Sequence, residues 1–271
     1  MKSTHTIKKI SLVTVLTFVL SLSAVFAQND TMYIMKAGAI VGQYNLNTEV
    51  DSVIFYEPTS GTFTDTRDGN VYNWVKIGDQ VWMAENLAYL PSVNQVADGS
   101  EDAAGSYYYV YGYDGTNVTD AKAISNYDTY GVLYNWTAAM NGEASSTTNP
   151  SGIQGVCPTG WHVPSDAEWT QLTDYIGGTR LAGGKLKETG TTHWNSPNEG
   201  ATNETGFRAL PGGYRSGSGA FVSIGYGGDW WSATEYDATD AWYRSMNYYG
   251  SGVYRVSYGK ELGFSVRCVR D

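Results

Sequence analysis

The sequence predicts an α+β domain of loop-rich antiparallel sheets with two short helices. Three observations carry that prediction. Roughly eight runs of strand composition are segregated unevenly along the chain, most of them in its C-terminal third, instead of alternating with helices. Only two segments combine helical spacing of apolar residues with start or stop signals. Finally, 32 glycines and 22 tyrosines stand against 16% charged residues, a composition of turns and half-buried surfaces.

Residues 1–27 carry Lys2, Lys8 and Lys9, then the apolar run ISLVTVLTFVLSLSAVF, then small Val25 and Ala27 ahead of Gln28. This order predicts a secretory signal peptide, with an uncleaved anchor as the alternative. No cysteine follows the run to accept an acyl chain. Cleavage would remove three lysines and no acid, taking the formal charge from −10 to −13. So acidic a surface repels nucleic acid and anionic lipid, and the expected location is secreted or at the cell surface, with no stable membrane insertion after cleavage.

Residues 28–60 read as a short β appendage and linker, with strand patterns at Met32 and Ile34, Ile40 to Tyr44, and Val53 to Phe55. The Gly/Ser/Thr/Asp-rich stretch TSGTFTDTRDGN puts the boundary near residues 58–64, leaving 61–271 as the main domain. VYNWVKIGDQVWMAENL is two alternating runs around Gly78-Asp79, a hairpin. Residues 91–128 show little periodicity and read as an irregular excursion. Val132, Leu133, Trp136 and Met140 predict a helix that stops at Asn141-Gly142. Ser165 and Glu168 fit a capping box, after which Trp169, Leu172 and Ile176 form a buried stripe ended by Gly177-Gly178. Beyond residue 186 come loops with a hairpin around Phe221 to Ile224, then WWSATE, AWYRSMNYY, VYRVSYG and GFSVRCVRD as a meander.

The only two cysteines are Cys157 and Cys268. In an exported chain one disulfide is the economical assignment, and closing a loop of about 110 residues would stabilise the fold by about 4 to 5 kcal/mol. The alternative is a free thiol nucleophile beside His162.

The segments DGNVYNWVKIGDQVWMAENL, YGVLYNWTAAM, CPTGWHVPSDAEW, LKETGTTHWNSPNEGATNETGFRALPGGYR, WWSATE and GFSVRCVRD together resemble the Fibrobacter succinogenes major paralogous domain, from about residue 65 to the end. That family is similar in fold to C-type lectin-like domains and the formylglycine-generating enzymes. The resemblance implies a looped α+β domain whose two ends meet, with Cys157 tied to Cys268 as in lectin-like folds. It implies no particular activity, since fold alone does not assign one.

No catalytic set and no protein-bound metal or cofactor is expected. His162 with Asp166 and Glu168 looks like acid–base machinery, but Pro164 and the cap already account for that run. Carboxylate pairs such as Glu199 with Glu235 or Asp237 could serve a glycosidase, as in any acidic chain. Calcium is the one cation for which donors cluster, at Asn195, Asn198, Glu199, Asn203 and Glu204. Even so, Ser196-Pro197-Asn198 and Trp194-Asn195-Ser196 each lack a carboxylate that calcium-dependent lectins use. Trp82, Trp161, Trp169 and Trp231 lie in apolar runs and are assigned to the core. Trp194, Tyr214, Trp242, Tyr248 and Tyr249 lie in or beside Gly/Asn/Ser-rich loops and, with Asn198 and Glu199, form the expected ligand surface for a glycan or an extracellular protein. The expected function is therefore an exported, non-catalytic, lectin-like binding module; a polysaccharide hydrolase and a purely structural surface protein are the alternatives.

Overall fold

The computed structural model describes residues 31–36, 39–45 and 58–271. The segment read as a signal peptide and the Val53 to Phe55 strand lie outside them. The chain divides into two units, Met1–Glu57 and Pro58–Asp271. In the first, β1 (Thr31–Lys36) and β2 (Ala39–Asn45) form an antiparallel hairpin with a bulge between Ile34 and Met35.

The second unit is a mixed α+β body built on two five-stranded sheets. In one, β3 (Ser60–Thr64), β4 (Val71–Ile77) and β5 (Gln80–Met83) form a meander, and β14 (Val269–Arg270) enters between β5 and β8 (Trp161–His162). Val269 lies opposite both Trp82 and His162, so the start and end of this unit share one sheet. The second sheet runs β10 (Phe221–Ile224), β9 (Gly212–Arg215), β11 (Gly227–Glu235), β12 (Asp240–Asn247), β13 (Tyr254–Gly259). All its pairings are antiparallel except β9 with β11. A two-stranded ladder, β6 (Tyr108–Tyr109) with β7 (Leu133–Tyr134), completes the described β-structure.

Five helices occur among the described residues, where two were expected: α1 (Val118–Lys122), α2 (Ser125–Tyr130), α3 (Trp136–Met140), α4 (Asp166–Tyr175) and α5 (Thr179–Leu186). The first two lie in the excursion read as irregular. Asn117 caps α1 by accepting from the Thr119 and Asp120 amides, but five residues are too short to show a helical period. The helix predicted from Val132 begins at Trp136, because Leu133 and Tyr134 pair as strand β7 and Asn135 caps the helix behind them. Its predicted stop holds: Asn141 takes the left-handed conformation. Helix α5 escaped notice because it contains Gly183-Gly184, poor helix formers. Both glycines are dictated by packing, since a Cβ there would collide with the carbonyls of Gly252 and Gly200.

Helix α4 begins with the capping box: Ser165 accepts from the Glu168 amide while Glu168 accepts from the Ser165 amide. Two apolar cores result. One gathers Trp136, Trp161, Trp231 and Phe264; the other gathers Trp82, Trp169, Trp194, Phe207 and Trp230. The four tryptophans assigned to the core are all buried. Cys157 and Cys268 form a disulfide with their Cα atoms 6.0 Å apart, joining the loop before β8 to the segment before β14.

Candidate ligand-binding face

The corner around His162 is structural. Its imidazole is 2% exposed, with Nδ1 2.7 Å from Asp271 Oδ1 and Nε2 2.7 Å from Glu168 Oε1. Burial alone would lower the imidazole pKa; the hydrogen bonds and charges of Glu168 and Asp271 outweigh it and hold the pKa above the ordinary value. Both ring nitrogens are thus engaged, and neither meets a nucleophile, because Cys157 is oxidised. Asp166 is bound by Arg244 and Arg255; burial opposes its ionisation, but the two guanidinium groups pull its pKa below the usual range. Glu235 pairs with Lys260 at 2.7 Å, and Asp237 accepts from the Thr239 and Asp240 amides of its own turn.

The expected ligand surface separates into parts. Trp194 is a correction: at 1% exposure it belongs to the second core, where its indole donates to the Ala209 carbonyl and lies beneath the Lys187 ammonium. Asn198 is corrected likewise, since its buried amide donates to the carbonyls of Glu188 and Gly190 and so fixes its own loop. Glu199 is exposed, and its backbone carbonyl accepts from Lys187. Trp242 stacks under the Arg255 guanidinium at 3.4 Å and meets Tyr236 edge-on. Tyr248 and Tyr249 form a small cluster with Tyr226 just past the end of β12. Tyr214 is half-buried on β9, and it leads to the surface that matters.

Side chains on a strand alternate between faces, so register decides which residues share one. Val222 pairs with Tyr214, Gly213 with Gly228, Asp229 with Ser245, and Ser245 with Tyr254. Val222, Tyr214, Asp229, Ser245 and Tyr254 therefore form one row across all five strands of the second sheet. The adjacent row on that face holds Trp231, Tyr243 and Val256, followed by Ala241 opposite Tyr258. The opposite face carries Trp230, Arg244 and Met246; Arg244 binds Asp166 at the start of α4, and Trp230 and Met246 lie in the second core. The first face is itself largely packed into the first core, where Trp231 and Ala241 lie and against which Tyr214 and Tyr243 pack; Phe264 tilts over Trp231 and Tyr243 and meets Tyr214 edge-on. Toward β13 the cover ends: Tyr254 is 44% and Tyr258 56% exposed.

Asp229 lies in the middle of this face and is 7% exposed. Burial raises its carboxyl pKa to about 7, offset in part by the Ser245 hydroxyl. Tyr214 and Tyr243 are shifted upward by burial and then by the Asp229 charge, and both also feel Tyr258. One carboxyl and three phenols from four strands thus share this face, and of them only Tyr258, on β13, is exposed. The alternation in AWYRSMNYY and VYRVSYG assigns these residues to faces, but sequence could not reveal which face helix α4 would cover.

A second concavity, of about 370 Å³, is lined by Glu85, Asp128, His193 and Arg208 among others. Glu188 braces it from behind, binding His193 Nδ1 at 2.6 Å and Arg208 Nε at 3.2 Å. Among the described residues no group of three or more His, Cys, Asp or Glu side chains is placed to hold a metal ion, and no helix is long and apolar enough to cross a membrane.

Compared with known proteins, the chain matches the sequence model of the Fibrobacter succinogenes major domain over residues 75–270. No curated protein and no solved structure matches it.

Proposed function

Because this chain belongs to the Fibrobacter succinogenes major domain family, and a fold alone carries no activity, we propose that it is an exported, non-catalytic, lectin-like module that binds a glycan or a protein partner through the exposed β13 side of the β9–β13 sheet. The observation that carries this reading is the pair of exposed tyrosines, Tyr254 and Tyr258, that β13 holds on one face of a five-stranded sheet. Tyrosines supply large, rigid contact area at little entropic cost, and the intervening polar groups give orientation. The lectin-like reading is supported by the terminal strand β14 joining β5 and β8, and by the disulfide beside it. Export is supported by the same disulfide, which persists in oxidising compartments.

A glycan array probed with the full chain and with the Tyr254→Ala/Tyr258→Ala double variant tests the reading. Both side chains are largely exposed, so the variant should fold. Glycan binding lost in the variant supports the face; binding that persists unchanged overturns it. A wild-type chain that binds no glycan leaves the protein-partner form.

The cleft at Glu85, Asp128 and His193 favours a second reading, a polysaccharide hydrolase, because it brings two carboxylates and a Glu188-braced imidazole to one cavity. Release of reducing ends by the wild type and none by Glu85→Gln would support it.

A further inference from the structure

In the cleft beside α2, one carboxylate holds an imidazole and a guanidinium side by side. Glu188 takes His193 Nδ1 on one oxygen at 2.6 Å and Arg208 Nε on the other at 3.2 Å. A carboxylate on Nδ1 keeps the imidazole proton there, so Nε2 of the neutral ring is an acceptor. The two terminal nitrogens of Arg208 have no hydrogen-bond partner among the described residues, yet the residue is firmly placed. Its backbone takes φ 51°, left-handed for a non-glycine residue, and its amide donates to Asn203 Oδ1 at 2.8 Å. Behind it lies the fully buried Arg267, whose hydrogen bonds go to uncharged oxygens: the carbonyls of Phe207 and Arg208, and Asn86 Oδ1. In a chain of formal charge −10, this end of the cleft sets two guanidinium groups against the one Glu188 carboxylate. The other walls supply acceptors. Asp128 and Thr129 lie on α2 with side chains that have no hydrogen-bond partner among the described residues, and Glu85 follows β5, held by the backbone and side-chain amides of Asn73.

We propose that this cleft binds a uronic acid residue of a glycan, the sugar carboxylate pairing with the terminal nitrogens of Arg208 while ring hydroxyls donate to His193 Nε2, Asp128 and Glu85. The proposal rests on reading the cleft as a saccharide site, and names the sugar; it does not depend on the β13 side of the second sheet. A planar carboxylate fits the pair of N–H groups that Arg208 has left, whereas a phosphate or sulfate would turn further charged oxygens toward Glu85 and Asp128. The acceptors stand on three separate segments: α2, the stretch after β5 and the loop at residue 193. That spread matches hydroxyls set around a ring, while the single ammonium of an amino acid would reach only the acceptors near its own carboxylate. The volume of about 370 Å³ suits one such residue, at the small end of ligand sites, which run from about 300 to 1,000 Å³.

The test is an NMR titration of the full chain with methyl glucuronide, methyl glucoside and alanine, on the wild type and on Arg208→Gln, whose side chain is 45% exposed and whose loss should leave the fold intact. The proposal predicts shifts at the amides of Glu85, Asp128, His193 and Arg208 with the glucuronide, and binding weaker by roughly tenfold to a hundredfold in Arg208→Gln. The glucoside, which lacks the carboxylate, should bind the wild type as weakly as the glucuronide binds the variant, a comparison that needs no substitution. No shift with the glucuronide at millimolar concentration, or undiminished binding of it by Arg208→Gln, would overturn the proposal. Alanine binding as tightly as the glucuronide would also overturn it, by making the ligand an amino acid. The two readings fail separately: glucoside binding as tightly as glucuronide removes the carboxylate and keeps a saccharide cleft, whereas binding of neither sugar removes the saccharide cleft as well.

Discussion

Asp229 on β11 stands directly opposite Ser245 on β12, and that hydroxyl eases its burial. The arrangement costs stability. The folded carboxyl titrates at about 7, above its ordinary 3.8, so the native state holds the proton more tightly than the unfolded chain. Stability is therefore fully present below pH 4 and declines as pH rises from about 4 to about 7.

It follows that Asp229→Asn should stabilise the free protein at pH 8 by about 2–4 kcal/mol and change little at pH 4. Urea unfolding at both pH values checks this. Equal stability of the two chains at pH 8 would show that the carboxyl is not strained by its setting.

His162 shifts stability with pH in the same direction, although here it is the charged form that the fold favours. Its folded pKa lies above the ordinary 6.5, so its contribution is full below pH 6.5 and lost as pH rises through the folded value. His162→Gln should cost about 1–3 kcal/mol at pH 6, where it leaves Glu168 buried without its cation, and distinctly less at pH 9. Unfolding midpoints of the two chains across that range measure the difference. A pH-independent cost would mean that the imidazole is neutral in the fold.

Lys187 is a buried ammonium that donates to the carbonyls of Glu199, Asn247 and Gly250, joining the 199 loop to the end of β12. Burial lowers its pKa to about 8, with the Glu199 charge opposing, so at pH 7 it is still protonated. Lys187→Met should destabilise by about 2–4 kcal/mol, since three carbonyls lose their donor together. Hydrogen exchange should quicken at the Glu199 amide, which donates to the Tyr248 carbonyl. A neutral substitution would contradict the keystone role.

Replacing both Cys157 and Cys268 by alanine removes a cross-link spanning 111 residues. The loss should be about 2–5 kcal/mol, a fall in Tm of roughly 5–15 °C for a unit of this size. Calorimetry of the double variant against the oxidised chain measures it.

How much could be read from residues alone differed by element. The capping box at Ser165 and Glu168 and the stop at Asn141 were legible because caps are local chemistry. Helix α5 was not, because Gly183 and Gly184 answer to carbonyls brought up from residues 252 and 200, a constraint that no local window contains. Trp194 misled for a related reason: its neighbours are loop residues, but the loop folds inward, and its indole reaches the Ala209 carbonyl. Tyr214 was identified and Asp229 was not, since a lone acid in GGDWWSATE carries no signal until strand register places it beneath the tyrosines.

The reading of this protein as a binding module stands on the exposed β13 side of the second sheet, and a glycan array probed with the wild type and the Tyr254→Ala/Tyr258→Ala variant tests it most directly. The predicted result is binding by the wild type that the variant loses. Binding that persists unchanged in the variant would contradict the account.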